Sequence, residues 1–395
     1  MGLFQPEHEN ALRTFYGPDP SGYSSLLGSL GRYLEEEVAP RSLGFDQRGE
    51  GGAIAEVRRG LFEHGLGSLA VEPGGEEGRM AVPFGVYALA MELAGAADAP
   101  TAMSVGVHNM VAEGVARFGT GPQRASLLGD LSSGRRLAAF ALTEPSSGSD
   151  ARSMSTRAER AGTGYVIDGS KMFITNAGEA DLYLVFARTG DDGGHSAFLV
   201  DASTPGLTVG DDLPKLGMRG SRTAEVRFER CAVPADRLLG EEGRGFEHAK
   251  AMLHGSRIVM GSICVGIALT AYRRALAYGA QRELFGRRLV DLPVTRERVA
   301  EMRTQITAAR MLCLHASRLK ELGLDHASEA AQAKVLSAEM AAGVCDRVIQ
   351  LFGGYGYTDE DVHRHWRDAR LLTIGEGASE VLRMLIAGQE VGRER

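Results

Sequence analysis

Cysteine and tryptophan are scarce in this sequence, which has four cysteines and one tryptophan in 395 residues. Cys231, Cys264, Cys313 and Cys345 are far apart and lack the short paired spacing of a zinc site or a disulfide framework. Such cysteine usage is typical of a reducing compartment. The sequence therefore predicts a cytoplasmic protein without a metal site. The N-terminus lacks a basic start and a long apolar core, so no export signal is expected.

An excess of positive charge and long apolar runs are also missing. The net charge is −7 and the pI is near 5.9, whereas nucleic-acid-binding proteins usually carry a basic field. No uninterrupted apolar stretch reaches the roughly 18 residues that a membrane span requires. We therefore expect neither nucleic-acid binding nor a membrane span.

The chain is too long for one hydrophobic core. Changes in the residue pattern along the sequence divide it into three predicted domains. Residues 1–135 mix Ala, Leu and Val with charge between Gly- and Pro-bearing breaks, which predicts helices, with an exposed turn at 72–78. Residues 136–240 contain short strand-like segments and predict a small β-barrel or β-sandwich. Residues 241–395 return to a helical pattern.

Two local patterns lead to sharper predictions. Asp168 and Gly169 separate the apolar segments 165–167 and 170–174, which predicts a hairpin with a tight turn. In the last domain, apolar residues recur in steps of three and four, which predicts helix stripes that face a bundle core. The first stripe comprises Val299, Met302, Ile306, Ala309, Cys313 and Ala316, and the second comprises Leu336, Met340, Val344 and Val348.

The segment Phe140-Ala-Leu-Thr-Glu-Pro-Ser-Ser-Gly-Ser-Asp150 is the most informative part of the chain. Its hydroxyls and its glycine offer hydrogen-bond donors at close range, which suits an anionic or heteroatom-rich ligand. By composition alone, the same residues are more typical of an ordinary surface turn.

The order of these residues resembles the first sequence signature of the acyl-CoA dehydrogenase flavoproteins. Further segments resemble that family in the family's own order, so that about two-thirds of the chain is covered. They are Lys171-Met-Phe-Ile-Thr-Asn-Ala177, Arg282-Glu-Leu-Phe-Gly286, Gln350-Leu-Phe-Gly-Gly-Tyr-Gly-Tyr357 and Arg367-Asp-Ala-Arg-Leu-Leu-Thr-Ile-Gly-Glu-Gly377. The resemblance implies an α+β multidomain fold with an N-terminal helical domain, a middle β-domain and a C-terminal four-helix bundle, which agrees with the residue patterns.

The resemblance assigns catalysis to Glu376, which lies between Gly375 and Gly377. The glycines leave the backbone uncovered, so a ligand can approach closely. Composition alone favours a solvated glutamate before a helix. In the family, this glutamate removes the proton alpha to a thioester carbonyl and flavin N5 accepts the beta hydride, giving a trans-2-enoyl thioester. Enclosure by an apolar acyl chain would make the carboxylate a stronger base.

The implied cofactor is FAD, and the implied assembly is a homodimer or homotetramer. The resemblance places cofactor contacts at Phe140, Leu142, Thr143, Gly148, Ser149, Phe173, Thr175, Arg282, Phe285, Gln350, Gly353, Gly354, Ala378 and Glu380. It places substrate contacts at Ser149, His254, Arg257, Gly375 and Gly377. The contacts from Arg282 to Gly354 would reach FAD that is held mainly by a neighbouring subunit. Taken singly, a core aromatic at Phe173 or a β-branched strand residue at Thr175 would be the more common explanation.

Several positions differ from the family pattern, and three of them are expected site residues. His254 stands where the family usually has an Asp that contacts the pantetheine arm, Gly375 replaces a common aromatic residue, and Ala378 replaces Thr. These differences favour an altered acyl or carrier preference.

We therefore expect FAD-dependent α,β-dehydrogenation of an acyl-CoA or acyl-carrier-protein thioester, with an electron-transfer flavoprotein as acceptor. Two alternatives remain: a flavin-dependent oxidase or monooxygenase of an amine or nitro compound, and a catalytically silent scaffold.

Overall fold

A computed structural model describes residues 2–48, 51–70, 81–190 and 194–393. The turn expected at 72–78 lies outside the described residues. The first part of the chain is helical and comprises α1 (Pro6–Tyr16), α2 (Ser21–Tyr33), α3 (Ser42–Arg48), α4 (Gly51–Glu63), α5 (Leu66–Ala70), α6 (Phe84–Ala97), α7 (Ala99–Phe118) and α8 (Gly121–Ser132). Two of these helices begin at side-chain caps: Asp98 accepts from the Thr101 amide at 2.9 Å, and Thr120 accepts from the Gln123 amide at 3.3 Å.

The middle of the chain forms an eight-stranded sheet within the described residues. Its strands are β1 (Ala138–Ala141), β2 (Arg157–Ala161), β3 (Gly164–Thr175), β4 (Leu182–Thr189), β5 (Gly194–Asp201), β6 (Leu207–Val209), β7 (Thr223–Pro234) and β8 (Leu238–Leu239). The order is β6-β7-β3-β2-β4-β5-β8, and β1 pairs with β4 in parallel.

Strand β4 shows how the sheet joins two cores. Leu182, Leu184 and Phe186 pack into the core shared with the helices, whereas Tyr183 and Val185 pack into a separate core inside the β-domain. Alternation along a strand sends successive side chains to opposite faces. Because both faces are covered, the sheet holds its loops rigidly against the helices.

The prediction of a hairpin turn at Asp168-Gly169 is wrong. Strand β3 runs through this position without reversing, and the reversal lies earlier, at Gly162-Thr163 between β2 and β3. Asp168-Gly169 instead coincides with a register shift against β7, and Asp168 accepts from the Arg230 amide on β7 at 2.7 Å. An Asp-Gly pair serves a bulge as readily as a turn, because both need a permissive backbone.

The last part of the chain is helical again. Its helices are α9 (Gly245–Gln281), α10 (Pro293–Glu321), α11 (Ala327–Phe352), α12 (Gly354–Thr358), α13 (Glu360–Leu372) and α14 (Ser379–Arg393), and a short β9–β10 hairpin (Glu283–Leu284 and Arg287–Arg288) follows α9. The predicted α10 stripe is confirmed, with Val299 only partly buried. In the α11 row, Met340, Val344 and Val348 are buried as predicted. The prediction is wrong for Leu336, whose side chain is 42% exposed.

Helix α9 is the axis of the helical core. It contacts α6, α7, α10 and α11, and its 37 residues extend over about 55 Å. Gly95 on α6 and Gly266 on α9 let the two backbones approach closely, because a Cβ at Gly266 would lie 2.2 Å from the Glu92 carbonyl oxygen. Among the described residues, α9 alone has the length and composition of a membrane span, yet 89% of its most apolar window is buried inside the protein. Its apolar character belongs to the core.

Candidate active site

Glu376 lies on a constrained turn between α13 and α14. Its φ is +56°, in the left-handed region that residues other than glycine rarely adopt, and Gly377 follows with φ +106°. The amides of Ile374 and Gly375 donate to the Leu371 carbonyl oxygen at 2.8 and 2.9 Å and close α13. From α11, the Lys334 ammonium donates to the Gly377 carbonyl oxygen at 2.6 Å. A backbone strain of this kind persists only where the surroundings fix it, and it is typical of functional sites.

The Glu376 carboxylate faces the N-terminal half of α9. Ser256 donates its hydroxyl hydrogen to Oε2 at 2.6 Å. Burial raises the pKa of Glu376, and the Ser256 hydrogen bond and the charges of Lys334 and Arg257 partly oppose this rise. The outcome is a carboxylate with greater basicity than a solvated one, held at a fixed position.

On α9, Arg257 lies beside Glu376, and His254 lies about one turn earlier on the helix, where its ring contacts His326. Arg257 is buried and makes a long hydrogen bond, 3.5 Å from Nε to the Glu376 carbonyl oxygen. Burial and the neighbouring Arg257 charge lower the pKa of His254 to about 4. The His254 ring is therefore neutral at physiological pH, unlike the aspartate that is expected at this position.

The loop after β1 is held from behind by a buried ion pair. Glu144 accepts from the Lys171 ammonium at 2.8 Å and from the amides of Ser155 and Thr156 at 2.6 and 2.9 Å. Burial alone would raise the pKa of Glu144, but these donors lower it to about 2. The Met172 amide donates to the Thr143 carbonyl oxygen at 2.8 Å, which joins the loop to β3. These contacts anchor the loop to β3, unlike an ordinary surface turn. We call this region, residues 140–150 together with 171–175, the shelf.

The predicted flavin contacts in the middle domain share this shelf. Phe140, Leu142 and Thr143 lead into the loop, Gly148 and Ser149 are exposed on it, and Phe173 and Thr175 follow on the adjoining strand β3. The ring of Phe173 is 62% exposed, and its backbone is at φ +60° beside a register shift in β3. An ordinary core aromatic would be buried. Phe173 instead offers a flat apolar surface next to exposed hydroxyls.

Five further predicted cofactor contacts lie at the other end of the bundle. Arg282 and Phe285 follow α9, and Gln350, Gly353 and Gly354 end α11; all five are exposed. Tyr278 stacks on Phe352 at 4.2 Å between ring centroids, which brings the two helix ends together. A rise of about 1.5 Å per residue places Gln281 about 38 Å along α9 from Ser256. This group therefore lies far from the Glu376 of its own chain.

Ala378 and Glu380 stand at the start of α14, directly after the Glu376 turn. Ala378 is partly buried and Glu380 is exposed. The Ala378 side chain offers no hydroxyl, and its carbonyl oxygen accepts from the Leu382 amide at 3.0 Å as the helix begins.

Sequence reasoning missed the groups that position the carboxylate. Ser256 lies between His254 and Arg257, two residues that the resemblance assigns to substrate contacts, so its hydroxyl was a visible signal. Lys334 gave no local signal, because it is 43 residues from the Gly377 oxygen that it contacts. The pair of Glu144 and Lys171 lies within quoted motifs, but its burial only emerges from the packing of β3 on the loop.

The residues present fit an FAD molecule. A Cβ added at Gly353 or Gly354 would meet no protein atom within 4 Å, and at Gly148 it would meet only the Thr143 methyl group at 3.8 Å. These glycines therefore leave open space where a phosphate or ribose can approach the backbone. Together with the exposed Phe173 ring and the hydroxyls of Thr143 and Ser149, they provide both a surface for a ring and donors for a diphosphate.

Three family models match the chain in sequence order. They are the acyl-CoA dehydrogenase N-terminal domain at residues 24–135, the middle domain at 139–231 and the C-terminal domain at 243–390. The chain is 38% identical over 374 residues to the human mitochondrial short-chain specific acyl-CoA dehydrogenase, which covers 93% of this chain and 90% of the relative.

Solved structures agree with these matches. Butyryl-CoA dehydrogenase from Megasphaera elsdenii has a TM-score of 0.90 and 35% identity, covering 95% of this chain and 99% of that chain. An acyl-CoA dehydrogenase complexed with FAD from Bacillus anthracis has a TM-score of 0.88 and 27% identity, covering 100% of this chain and 70% of that chain. The chain therefore belongs to the acyl-CoA dehydrogenase family and is an FAD-dependent oxidoreductase that acts on the CH–CH bond of acyl thioesters.

Proposed function

We propose that Glu376 is the base that removes the proton alpha to the thioester carbonyl. The observation that carries this proposal is the carboxylate itself, which is partly buried, bonded to Ser256 and held on a left-handed turn between two glycines. A base of raised pKa transfers a weakly acidic proton more readily than a solvated carboxylate does. The hydrogen bond from Ser256 directs Oε2, because it fixes the rotamer of the side chain.

The Glu376 backbone supplies the second part of the chemistry. No oxygen of the described residues accepts from the Glu376 amide N–H. The left-handed turn leaves this donor free to bind the thioester oxygen, where negative charge grows as the alpha proton leaves. Gly375 and Gly377 keep the approach to that N–H open, which supports their proposed role in substrate binding, while Arg257 and His254 line the same region of α9.

For the cofactor, we propose that the shelf binds the flavin and its phosphates. Phe140, Leu142, Thr143, Gly148 and Ser149 would line one side, with Phe173 and Thr175 on the other. When bound, FAD supplies the two-electron acceptor for the bond between the beta carbon and its hydrogen. The protein's own contribution is to hold the acyl group between that acceptor and Glu376.

The group at the far end of α9 supports an oligomer. Arg282, Phe285, Gln350, Gly353 and Gly354 would complete the FAD site of a partner subunit, because α9 places them about 38 Å from Ser256 of their own chain. Ala378 and Glu380, next to the Glu376 turn, would contact the cofactor of their own chain. We propose a homodimer or homotetramer on this basis.

We propose a short acyl thioester as the substrate, in keeping with the human and Megasphaera relatives, whose names specify short-chain and butyryl substrates. The carrier is coenzyme A or an acyl-carrier protein, and the neutral His254 is the difference from the expected aspartate that bears on this choice. The proposed acceptor is an electron-transfer flavoprotein. The proposed compartment is the cytoplasm, in keeping with four buried free thiols.

The substitution Glu376→Gln tests the proposed base, because it keeps the shape of the side chain and removes its basicity. We expect FAD to remain bound and the rate of flavin reduction by butyryl-CoA to fall by roughly three or more orders of magnitude. Anaerobic stopped-flow absorbance of the flavin measures this rate. Glu301→Gln, an exposed position on α10, is the matched control. Near-normal reduction in Glu376→Gln would remove Glu376 from the reaction, and stoichiometric dioxygen uptake with an amine or nitro compound would favour the oxidase alternative.

A further inference from the structure

A small cavity lies in the helical core between α6, α7 and α9, next to Ser256. Ser256, whose hydroxyl donates to the Glu376 carboxylate, forms part of its wall. The other lining residues are Ala70, Phe84, Tyr87, Gly106, Asn109, Met110, Glu113, Gly255 and Val259. If Glu376 is the base, as proposed above, only the end of a short acyl chain reaches this cavity, which has room for about one water-sized group. Its walls therefore determine which acyl groups fit.

Asn109 brings an unpaired acceptor to this cavity. The residue is only 2% exposed. Its amide nitrogen donates to the Leu66 carbonyl oxygen at 3.2 Å and to the Tyr87 hydroxyl oxygen at 2.9 Å. Its Oδ1 has no hydrogen-bond partner within the described ranges of the chain. The contact with a carbonyl oxygen fixes which amide atom is the nitrogen, since an oxygen placed there would face another acceptor.

Tyr87 brings an uncommitted donor to the same place. The Tyr87 oxygen accepts from Asn109, and in the described part of the protein no acceptor takes its hydroxyl hydrogen. Burial, with the charges of Glu113 and Glu376, raises the pKa of Tyr87 well above its ordinary value, so the hydroxyl stays protonated. Glu113 is paired with Lys320 and so does not require a further partner.

An acceptor and a donor therefore lie side by side in a cavity whose other polar side chains, Ser256 and Glu113, already have partners. A buried polar atom without a partner costs about 1–3 kcal/mol, and an unsubstituted acyl chain would leave both groups unsatisfied. A hydroxyl group can donate to Asn109 Oδ1 and accept from Tyr87 at the same time. A methyl group of similar size can do neither.

We infer that the enzyme is selective for a short acyl thioester that carries a hydroxyl group beyond the beta carbon, recognised by Asn109 and Tyr87. This inference rests on the proposed function. It names the class of acyl group that the Glu376 site receives. Hydroxyl recognition by paired buried groups discriminates strongly against the analogue that lacks the hydroxyl, whereas an apolar pocket discriminates weakly.

The test compares three thioesters on the FAD-loaded enzyme: 4-hydroxybutyryl-CoA, pentanoyl-CoA, in which a methyl group replaces the hydroxyl, and butyryl-CoA. We expect kcat/KM with an artificial electron acceptor to be at least about tenfold higher for 4-hydroxybutyryl-CoA than for pentanoyl-CoA. Oxidation of butyryl-CoA together with an equal or reversed ratio would overturn the inference and leave the proposed function intact. Flavin reduction by none of the three acyl groups, presented on coenzyme A or on an acyl-carrier protein, would overturn both.

Two variants test whether Asn109 and Tyr87 are the residues that recognise the hydroxyl group. Asn109→Leu removes the acceptor at similar volume and should shift the preference to pentanoyl-CoA. Tyr87→Phe keeps the ring and should lower the ratio without requiring any repacking of Asn109. Tyr33→Phe, which removes a hydroxyl that donates to the Val57 carbonyl oxygen far from the cavity, should leave the ratio unchanged. A ratio that is high in the wild type and unchanged in both cavity variants would assign the selectivity to other residues.

Discussion

At the scale of single residues, Glu376 shows how opposing forces set a basicity. Burial raises its pKa, while the Ser256 hydrogen bond and the charges of Lys334 and Arg257 lower it. Without these partners, burial would raise the pKa of the carboxyl group further and would favour its protonated form. A fully solvated one would be too weak. Ser256 therefore both orients the carboxylate and favours its ionised form.

This balance predicts the pH dependence of flavin reduction. The base works only when deprotonated, so the rate constant should fall as the pH drops through the raised pKa of Glu376. Ser256→Ala removes a hydrogen bond to the charged form, which raises this pKa further and moves the acidic limb to higher pH. Stopped-flow reduction across a pH series measures the limb. Ser262→Ala, a buried serine further along α9, is the control, and an acidic limb at the same pH in both variants would contradict this role of Ser256.

At the scale of elements, the sequence predicted what depends on local periodicity. The α10 stripe from Met302 to Ala316 is buried as expected, because a period of three and four marks one helix face whatever packs against it. The bulge at Asp168-Gly169 was missed, since the choice between turn and bulge depends on pairing with β7. The contact of Ser256 with Glu376 spans 120 residues, so only the packing of α9 against the end of α13 creates it.

A buried ionic cluster joins three helices of the protein. Glu92 on α6 accepts from Arg310 on α10 at 2.6 and 2.9 Å, and His8 on α1 lies 2.9 Å from the same carboxylate. Burial alone would raise the pKa of Glu92, but Arg310 and His8 hold it well below its ordinary value. A depressed pKa in the folded state contributes stability above the ordinary value near 4.5, and that contribution is lost as the pH falls.

Removing this carboxylate should destabilise the protein strongly. Glu92→Ala leaves Arg310 buried without its partner, which should cost about 3–5 kcal/mol. Arg383 and Glu339 form a matched pair between α14 and α11, but their side chains are 54% and 42% exposed, so Glu339→Ala should cost no more than about 1 kcal/mol. Thermal unfolding of both variants, followed by circular dichroism, compares the two. Equal losses of stability in the two variants would mean that burial does not determine how much the Glu92 cluster contributes to the free energy of unfolding.

At the scale of the whole molecule, the length of α9 separates two sets of predicted FAD contacts. Ser256 near one end faces Glu376, while the other end leads to Arg282 and Phe285. Phe285 is 94% exposed at φ +53° on the turn of the short hairpin after α9. A large apolar side chain that projects so far marks an interaction site when it stands beside other exposed aromatics, and Tyr355 and Tyr357 are 65% and 82% exposed at the adjoining end of α11.

Assembly and FAD binding should therefore fail together when this end is altered. Phe285→Asp places a charge where an apolar contact is proposed, so we expect a smaller mass by light scattering and a lower ratio of FAD to protein. Leu322→Asp replaces an apolar residue that is 55% exposed at the end of α10 and should change neither quantity. A Phe285→Asp protein that stays fully assembled but loses FAD would make Phe285 a cofactor contact alone. One that becomes monomeric with full FAD content would contradict the shared site, because the FAD would then be held by residues of a single chain.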